Sequence, residues 1–155
     1  MPDPNVDIPL DFEDAGHEAL MNLLWTGTLL KRASRRFFRD TPFSEAEFNL
    51  LLVLSYSGEP LSQNELGRRM LVDKSNVTGL IDRLEEAGLL ARNPVPGDRR
   101  RNHVALTAEG RRRIAPLDPV YHDMVGQVMS GLSDREHRTL IRLTRKVRQG
   151  LADSF

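Results

Sequence analysis

Apolar residues along this chain recur mostly at intervals of three and four, the spacing that lines one face of a helix. From about Glu13 to Arg39 the stripe is Leu20, Leu23, Leu24, Leu30, Phe37 and Phe38, and the polar remainder turns basic toward its end, as suits a helix C-terminus. Val77, Leu80, Ile81 and Leu84 share one face of a helix running from Lys74 to Ala87. Val120, Met124, Val125, Val128 and Leu132 make a third stripe, and Leu140, Leu143, Val147 and Leu151 a fourth. The alternation of a strand is carried by His103-Val104-Ala105-Leu106, shortly after a Pro-Gly turn at Pro96-Gly97. The pattern predicts a mainly α chain with one small β-hairpin.

Polar residues mark where the elements begin and end. Ser44…Glu47, Ser62…Glu65 and Ser133…Glu136 each fit a capping box, in which the serine accepts from the amide three residues on and the glutamate reaches back. They predict helix starts near 45, 63 and 134. Asp73 reads as a further N-cap, Gly88 as the glycine that closes that helix, and Thr107 as the cap of a helical region reaching about Leu132. Pro116 and Pro119 fall inside that region. A break near 116–118 accommodates them, with Asp118 as a new cap and Pro119 at the first helical position.

Leu61 to Leu89 therefore reads as helix, turn, helix, and a hairpin tipped by Asp98, Arg99, Arg100 and Arg101 follows. Arginine is almost never fully buried without a partner, so this tip does not serve a core. Guanidinium groups pair with phosphates and enter narrow, electronegative minor grooves. A helix-turn-helix followed by a basic hairpin implies a winged-helix DNA reader. On the second helix the face opposite the apolar stripe centres on Ser75, Gly79, Asp82 and Glu86, flanked by Asn76, Thr78 and Arg83, with Lys74 at its margin. The N-terminal part of such a helix meets base edges in the major groove. Asn pairs bidentately with adenine, and Ser or Thr pairs with several bases. Gly79 lets the backbone approach the groove closely. The same residues suit a plain solvated face; the capped helix before them and the basic hairpin after them favour the DNA reading.

At 155 residues the chain has the length of one domain with an appendage. Its 22 Lys and Arg balance its 22 Asp and Glu, yet the distribution is uneven. No Lys or Arg precedes Lys31, whereas Asp3, Asp7, Asp11, Glu13, Asp14 and Glu18 all do. Residues 1–12 read as an acidic tail. Cations gather instead at Arg68, Arg69, Lys74, Arg83, Arg92, Arg99 to Arg101 and Arg111 to Arg113, and a local basic face is what nucleic acid requires. The absence of cysteine excludes disulfides, Cys-ligated metals and thiol-based redox sensing. With no apolar run of bilayer length and no secretory leader, a cytoplasmic protein without membrane partners is expected.

Enzyme signatures are lacking: no Gly-rich phosphate loop, no H-E-x-x-H and no G-x-S-x-G occur. The four histidines, His17, His103, His122 and His137, are scattered. His17 and His122 could meet as metal ligands, but a metal site usually needs further well-placed ligands, so no metal or other cofactor is expected. A winged helix used for protein–protein assembly, without specific DNA binding, is the alternative. It explains the helices and leaves the arginine tip unexplained.

The stretch LSQNELGRRMLVDKSNVTGLIDRLEEAGLLARNPVPGDRRRNHVALTAEGRR resembles the MarR family of bacterial transcription regulators. The likeness is carried by DKSNVTGLIDRLEEAGL and by the DRR…LT-x-x-G run, with Asp98, Arg99, Arg100, Leu106, Thr107 and Gly110 in place. It covers Leu61 to Arg113 in motif and about Glu13 to Leu151 in layout. The resemblance implies a homodimer with an N-terminal dimerisation helix over 13–40, a winged helix-turn-helix domain over 41–107 and C-terminal dimerisation helices over 108–155. By position it implies that Ser75, Asn76 and Thr78 face the major groove, with Lys74 and Arg83 completing the DNA-binding set. Arg100 would enter the minor groove, with Arg99 as the alternative, and Asp98 would hold the hairpin tip. One departure is Gly79, where many relatives carry arginine. The family further implies a repressor acting on double-stranded DNA and released by a small aromatic or anionic effector. Met21, Trp25, Phe37, Phe48 and Tyr56 are apolar candidates for the effector crevice, and each also reads as plain core.

Overall fold

The structure is a computed structural model that describes residues 12–70, 74–95 and 98–154, with backbone alone at 74–76, 95 and 98–101. Along it run α1 (Ala15–Arg39), α2 (Glu45–Ser57), β1 (Leu61–Ser62), α3 (Gln63–Arg69), α4 (Lys74–Glu86), β2 (Leu90–Val95), β3 (Asp98–Leu106), α5 (Ala108–Ile114), α6 (Leu117–Met129) and α7 (Asp134–Ser154). Residues 1–11 of the acidic tail, the Asp73 cap and the Pro96-Gly97 turn lie outside the described residues.

The serine caps set the helix starts where the sequence places them. Ser44 with Glu47 and Ser62 with Glu65 form complete reciprocal boxes at α2 and α3. At α7 Glu136 accepts from the Ser133 amide at 2.8 Å. Asp14 caps α1 by accepting from the His17 amide at 2.8 Å. The chain leaves α4 through Gly88, whose φ of 71° is the left-handed conformation that only glycine takes without strain.

The predicted break between α5 and α6 is present but sits earlier. Pro116 occupies the N-cap of α6, and Asp118 and Pro119 lie within its first turn. First-turn amides have no intrahelical partner, so Pro119 forfeits no hydrogen bond there. Asp118 does not cap, because its carboxylate takes the Tyr56 hydroxyl.

The sheet is antiparallel in the order β1-β3-β2. β1 escapes sequence reading because it is two residues long and exists only through pairing, Leu61 opposite Val104 and Ser62 opposite His103. β3 begins well before the alternation at His103, since pairing with β2 defines it. The register shifts between Pro94 and Val95, beside a residue that has no amide hydrogen to give the ladder.

One apolar core joins α2, α3, α4, α5 and the sheet. Phe48, Leu50, Leu51, Leu61, Leu66, Val77, Ile81, Val104 and Ile114 are its fully buried members, and no polar residue is buried among the described residues. In contrast, α1, α6 and α7 contribute no buried residue. Helices α1 and α6 attach through an aromatic cluster in which Phe37 and Phe38 meet Phe48 edge-on at 5.9 and 5.3 Å, and Tyr121 lies 5.2 Å from Phe48. The result is a mainly α winged helix-turn-helix with long helical arms.

Candidate nucleic-acid interface

Helix α4 buries Val77, Leu80, Ile81 and Leu84, so its opposite face must point outward. Thr78, Asp82, Arg83 and Glu86 are exposed on or beside that face. The backbone of Lys74, Ser75 and Asn76 forms its first turn, and that of Asp98, Arg99 and Arg100 opens β3. The side chains of these six residues lie outside the described residues.

Three neighbouring elements tie the outer face of α4 in place. From α3, the Gln63 amide nitrogen donates to the Thr78 hydroxyl oxygen. From α2, Glu47 lies 3.6 Å from Arg83. Partial burial pushes the Glu47 pKa up, but hydrogen bonds from the Ser44 amide and hydroxyl, with help from Arg83, outweigh it and hold the carboxyl below its usual value. From β2, Arg92 bridges Asp82 and Glu85, and its own amide donates to Glu85 at 3.0 Å. Asp82 raises the Arg92 pKa and Glu85 adds to it, against the opposing effect of partial burial. Arg92 thus neutralises two acids that would otherwise repel a phosphate backbone from this helix. Its place among the basic residues was visible in the sequence, but its partners were not. Gln63 had no signal at all beyond its position in a capped helix.

The L-T-x-x-G run has a physical cause. The Thr107 hydroxyl donates to the Gly88 carbonyl at 2.7 Å and accepts from the Gly110 amide at 3.0 Å. The Thr107 amide donates to the Leu89 carbonyl at 3.0 Å. A Cβ on Gly110 would stand 2.1 Å from that same Leu89 oxygen. The end of β3, the chain leaving α4 and the start of α5 therefore meet at one joint, which aims the hairpin relative to α4.

The apolar crevice candidates do not come together. Met21 and Trp25 lie along α1, where Trp25 is 46% exposed, while Phe37 and Phe48 belong to the aromatic cluster and Phe48 is wholly buried. Tyr56 is exposed at the end of α2. Its hydroxyl donates to Asp118 and lies 2.8 Å from His122 Nε2. The Asp118 hydrogen bond is the main cause that pushes its pKa up to about 12. A separate crevice of about 280 Å³ opens between α1 and α6, with Leu30, Met124, Val125 and Val128 on its walls and Lys31 among its lining residues. His17 packs on Phe12 at 5.2 Å, so it and His122 have different neighbours. Among the described residues no group of three or more His, Asp or Glu could hold a metal ion, and no helix is long and apolar enough to cross a membrane.

Known proteins share this arrangement. The model of the MarR family matches residues 41–101. The uncharacterised HTH-type transcriptional regulator YkoM of Bacillus subtilis (strain 168) is 33% identical over 88% of this chain and 91% of its own. The HTH-type transcriptional repressor YetL of the same organism is 29% identical, over 84% of this chain and 79% of its own. A solved structure of BpsR from Bordetella bronchiseptica, whose DNA binding is regulated by 6-hydroxynicotinic acid, has a TM-score of 0.62 at 29% identity and covers 79% of this chain and 98% of that one. These likenesses extend well beyond the winged helix into the arms, and they favour a regulator over a protein-assembly module. The chain belongs to the MarR family and is a DNA-binding transcriptional regulator.

Proposed function

We propose that the chain works as a homodimeric repressor of a pseudo-palindromic operator, with each α4 in a major groove and each hairpin in the adjacent minor groove. The observation that carries this reading is the orientation of α4: its apolar face is wholly buried, which turns the opposite face, with Thr78, Asp82, Arg83 and Glu86, to the outside. Ser75, Asn76 and Thr78 then read base edges, Lys74 and Arg83 meet phosphate, and Arg100 enters the minor groove, with Arg99 beside it and Asp98 steadying the tip. Two-fold symmetry sets the half-sites about one helical turn, roughly 10 bp, apart.

The arms support dimerisation, because their apolar stripes have no partner among the described residues. For the effector, the α1–α6 crevice is the best seat. Its walls are mainly apolar, and Lys31, Ser34 and Glu45 add a cation, a hydroxyl and a carboxylate to the lining, a combination suited to a small polar aromatic ligand. The 6-hydroxynicotinic acid that regulates BpsR has that chemistry. A ligand wedged between the arm helices releases DNA if it favours a spacing of the two α4 helices that misses successive grooves.

Fluorescence anisotropy against the DNA upstream of its own gene, titrated over salt with Arg100→Ala alongside, tests the DNA-binding part. Tight binding that weakens steeply with salt, and that Arg100→Ala reduces by about 1–3 kcal/mol, is expected. Absent or salt-insensitive binding across genomic fragments overturns it.

A further inference from the structure

Gln63 is the first residue of α3, and the Ser62–Glu65 box fixes the backbone there. From this anchored, half-buried position its side chain reaches the exposed face of α4, where Nε2 donates to Thr78 Oγ1 fifteen residues along the chain. The two helices of the helix-turn-helix are thus linked by a side-chain hydrogen bond that ends on a residue of the outer face.

The link constrains more than distance. Thr78 is β-branched, with a hydroxyl and a methyl on one carbon, so a partner that holds Oγ1 toward α3 also sets χ1 and the direction of the methyl. A threonine free to exchange rotamers offers either group to a groove and suits several bases. A threonine held in one rotamer offers a single face.

We propose that Gln63 is a positioning residue for sequence specificity: it selects the rotamer of Thr78 and so narrows the base pair that Thr78 accepts. This rests on Thr78 facing the major groove, as proposed above. The two ideas predict different failures.

The test begins with duplexes that the full-length protein selects from a randomised pool. Affinities are then measured for a panel of single base-pair variants of the selected sequence, using the wild type, Gln63→Ala, Thr78→Val and the double variant. Gln63→Ala is expected to reduce discrimination roughly three- to tenfold at the same base pair that Thr78→Val affects, with the double variant no worse than Thr78→Val alone. Salt slope and thermal midpoint are recorded for each, because a lost phosphate contact moves the first and a folding defect the second. Gln63→Ala weakening all sequences equally, or adding independently to Thr78→Val, overturns the positioning role. A selective wild type whose preferences survive Thr78→Val overturns the placement of Thr78 itself, and positioning through it falls too. Selection that yields no preferred sequence overturns specific DNA recognition as a whole.

Discussion

Gly110 is demanded by what lies opposite it. A Cβ at this position would overlap the Leu89 carbonyl, a backbone atom that cannot swing aside. Gly110→Ala should therefore destabilise the fold by about 1–3 kcal/mol, the usual range for overpacking, read as a lower urea midpoint. Gly126, in α6, has nothing within 4 Å of its own virtual Cβ. Gly126→Ala should leave stability equal or higher, by up to about 1 kcal/mol, since alanine restricts the unfolded chain. Equal losses at both positions would contradict the overlap as the cause. The glycine was visible in the sequence as part of a motif, but the reason was not, because Leu89 lies twenty-one residues away. Arg92 teaches the same lesson in reverse. Its charge reads as a DNA contact, and only the fold reveals that Asp82 and Glu85 occupy it.

At the scale of elements, local chemistry was the most legible part of the chain. A serine and a glutamate three residues apart make their hydrogen bonds within one turn, so α2, α3 and α7 begin where the sequence says. Elements made by distant partners were not legible: β1 needs Val104 and His103 across the sheet, and Asp118 is diverted from capping by Tyr56, sixty-two residues earlier. The caps also predict an acid response. Glu47, Glu65 and Glu136 are all held below the ordinary 4.5, Glu65 and Glu136 chiefly by the hydroxyls of Ser62 and Ser133 and then by those serines' amides. A carboxyl whose pKa is lower folded than unfolded stabilises the fold above its unfolded value. That contribution is lost as the pH falls through the lowered value. Glu47→Gln should accordingly cost stability at about pH 7 and progressively less as the pH falls below 4.5, as measured by urea unfolding across that range. A deficit that persists undiminished in acid would mean that the charge of Glu47 is not what its cap and Arg83 use.

The whole molecule divides into a winged helix with a closed core and arms with none. Sixteen large apolar residues are exposed among the described residues, and all but Tyr56 lie on α1, α6, α7 or the turn between the last two. Leu140, Leu143, Val147 and Leu151 form a continuous stripe along α7, as their spacing predicts. A second copy is the partner such stripes suit, so Leu143→Glu should shift the sedimenting species from twice 17.6 kDa toward 17.6 kDa at micromolar concentration and weaken operator binding with it. An unchanged mass would place the dimer contact elsewhere. The stripes of α1, α6 and α7 were legible in the sequence, whereas the seat of α5 in the core through Ile114 was not. The α1–α6 crevice proposed for an effector was not legible either, because it forms only where two distant helices meet and its lining mixes apolar residues with Lys31, Ser34 and Glu45.

The joint at Thr107 also bears on how such a protein could be re-addressed to new DNA. Hydrogen bonds from Thr107 to Gly88 and Leu89, and the close seat of Gly110 on Leu89, interlock the end of α4 with the end of the hairpin. A graft that exchanged α4 or the hairpin alone would cut through that interlock. The smallest exchangeable cassette runs from β1 through Gly110, and its two seams fall where the chain enters the sheet and just after the first turn of α5 has opened.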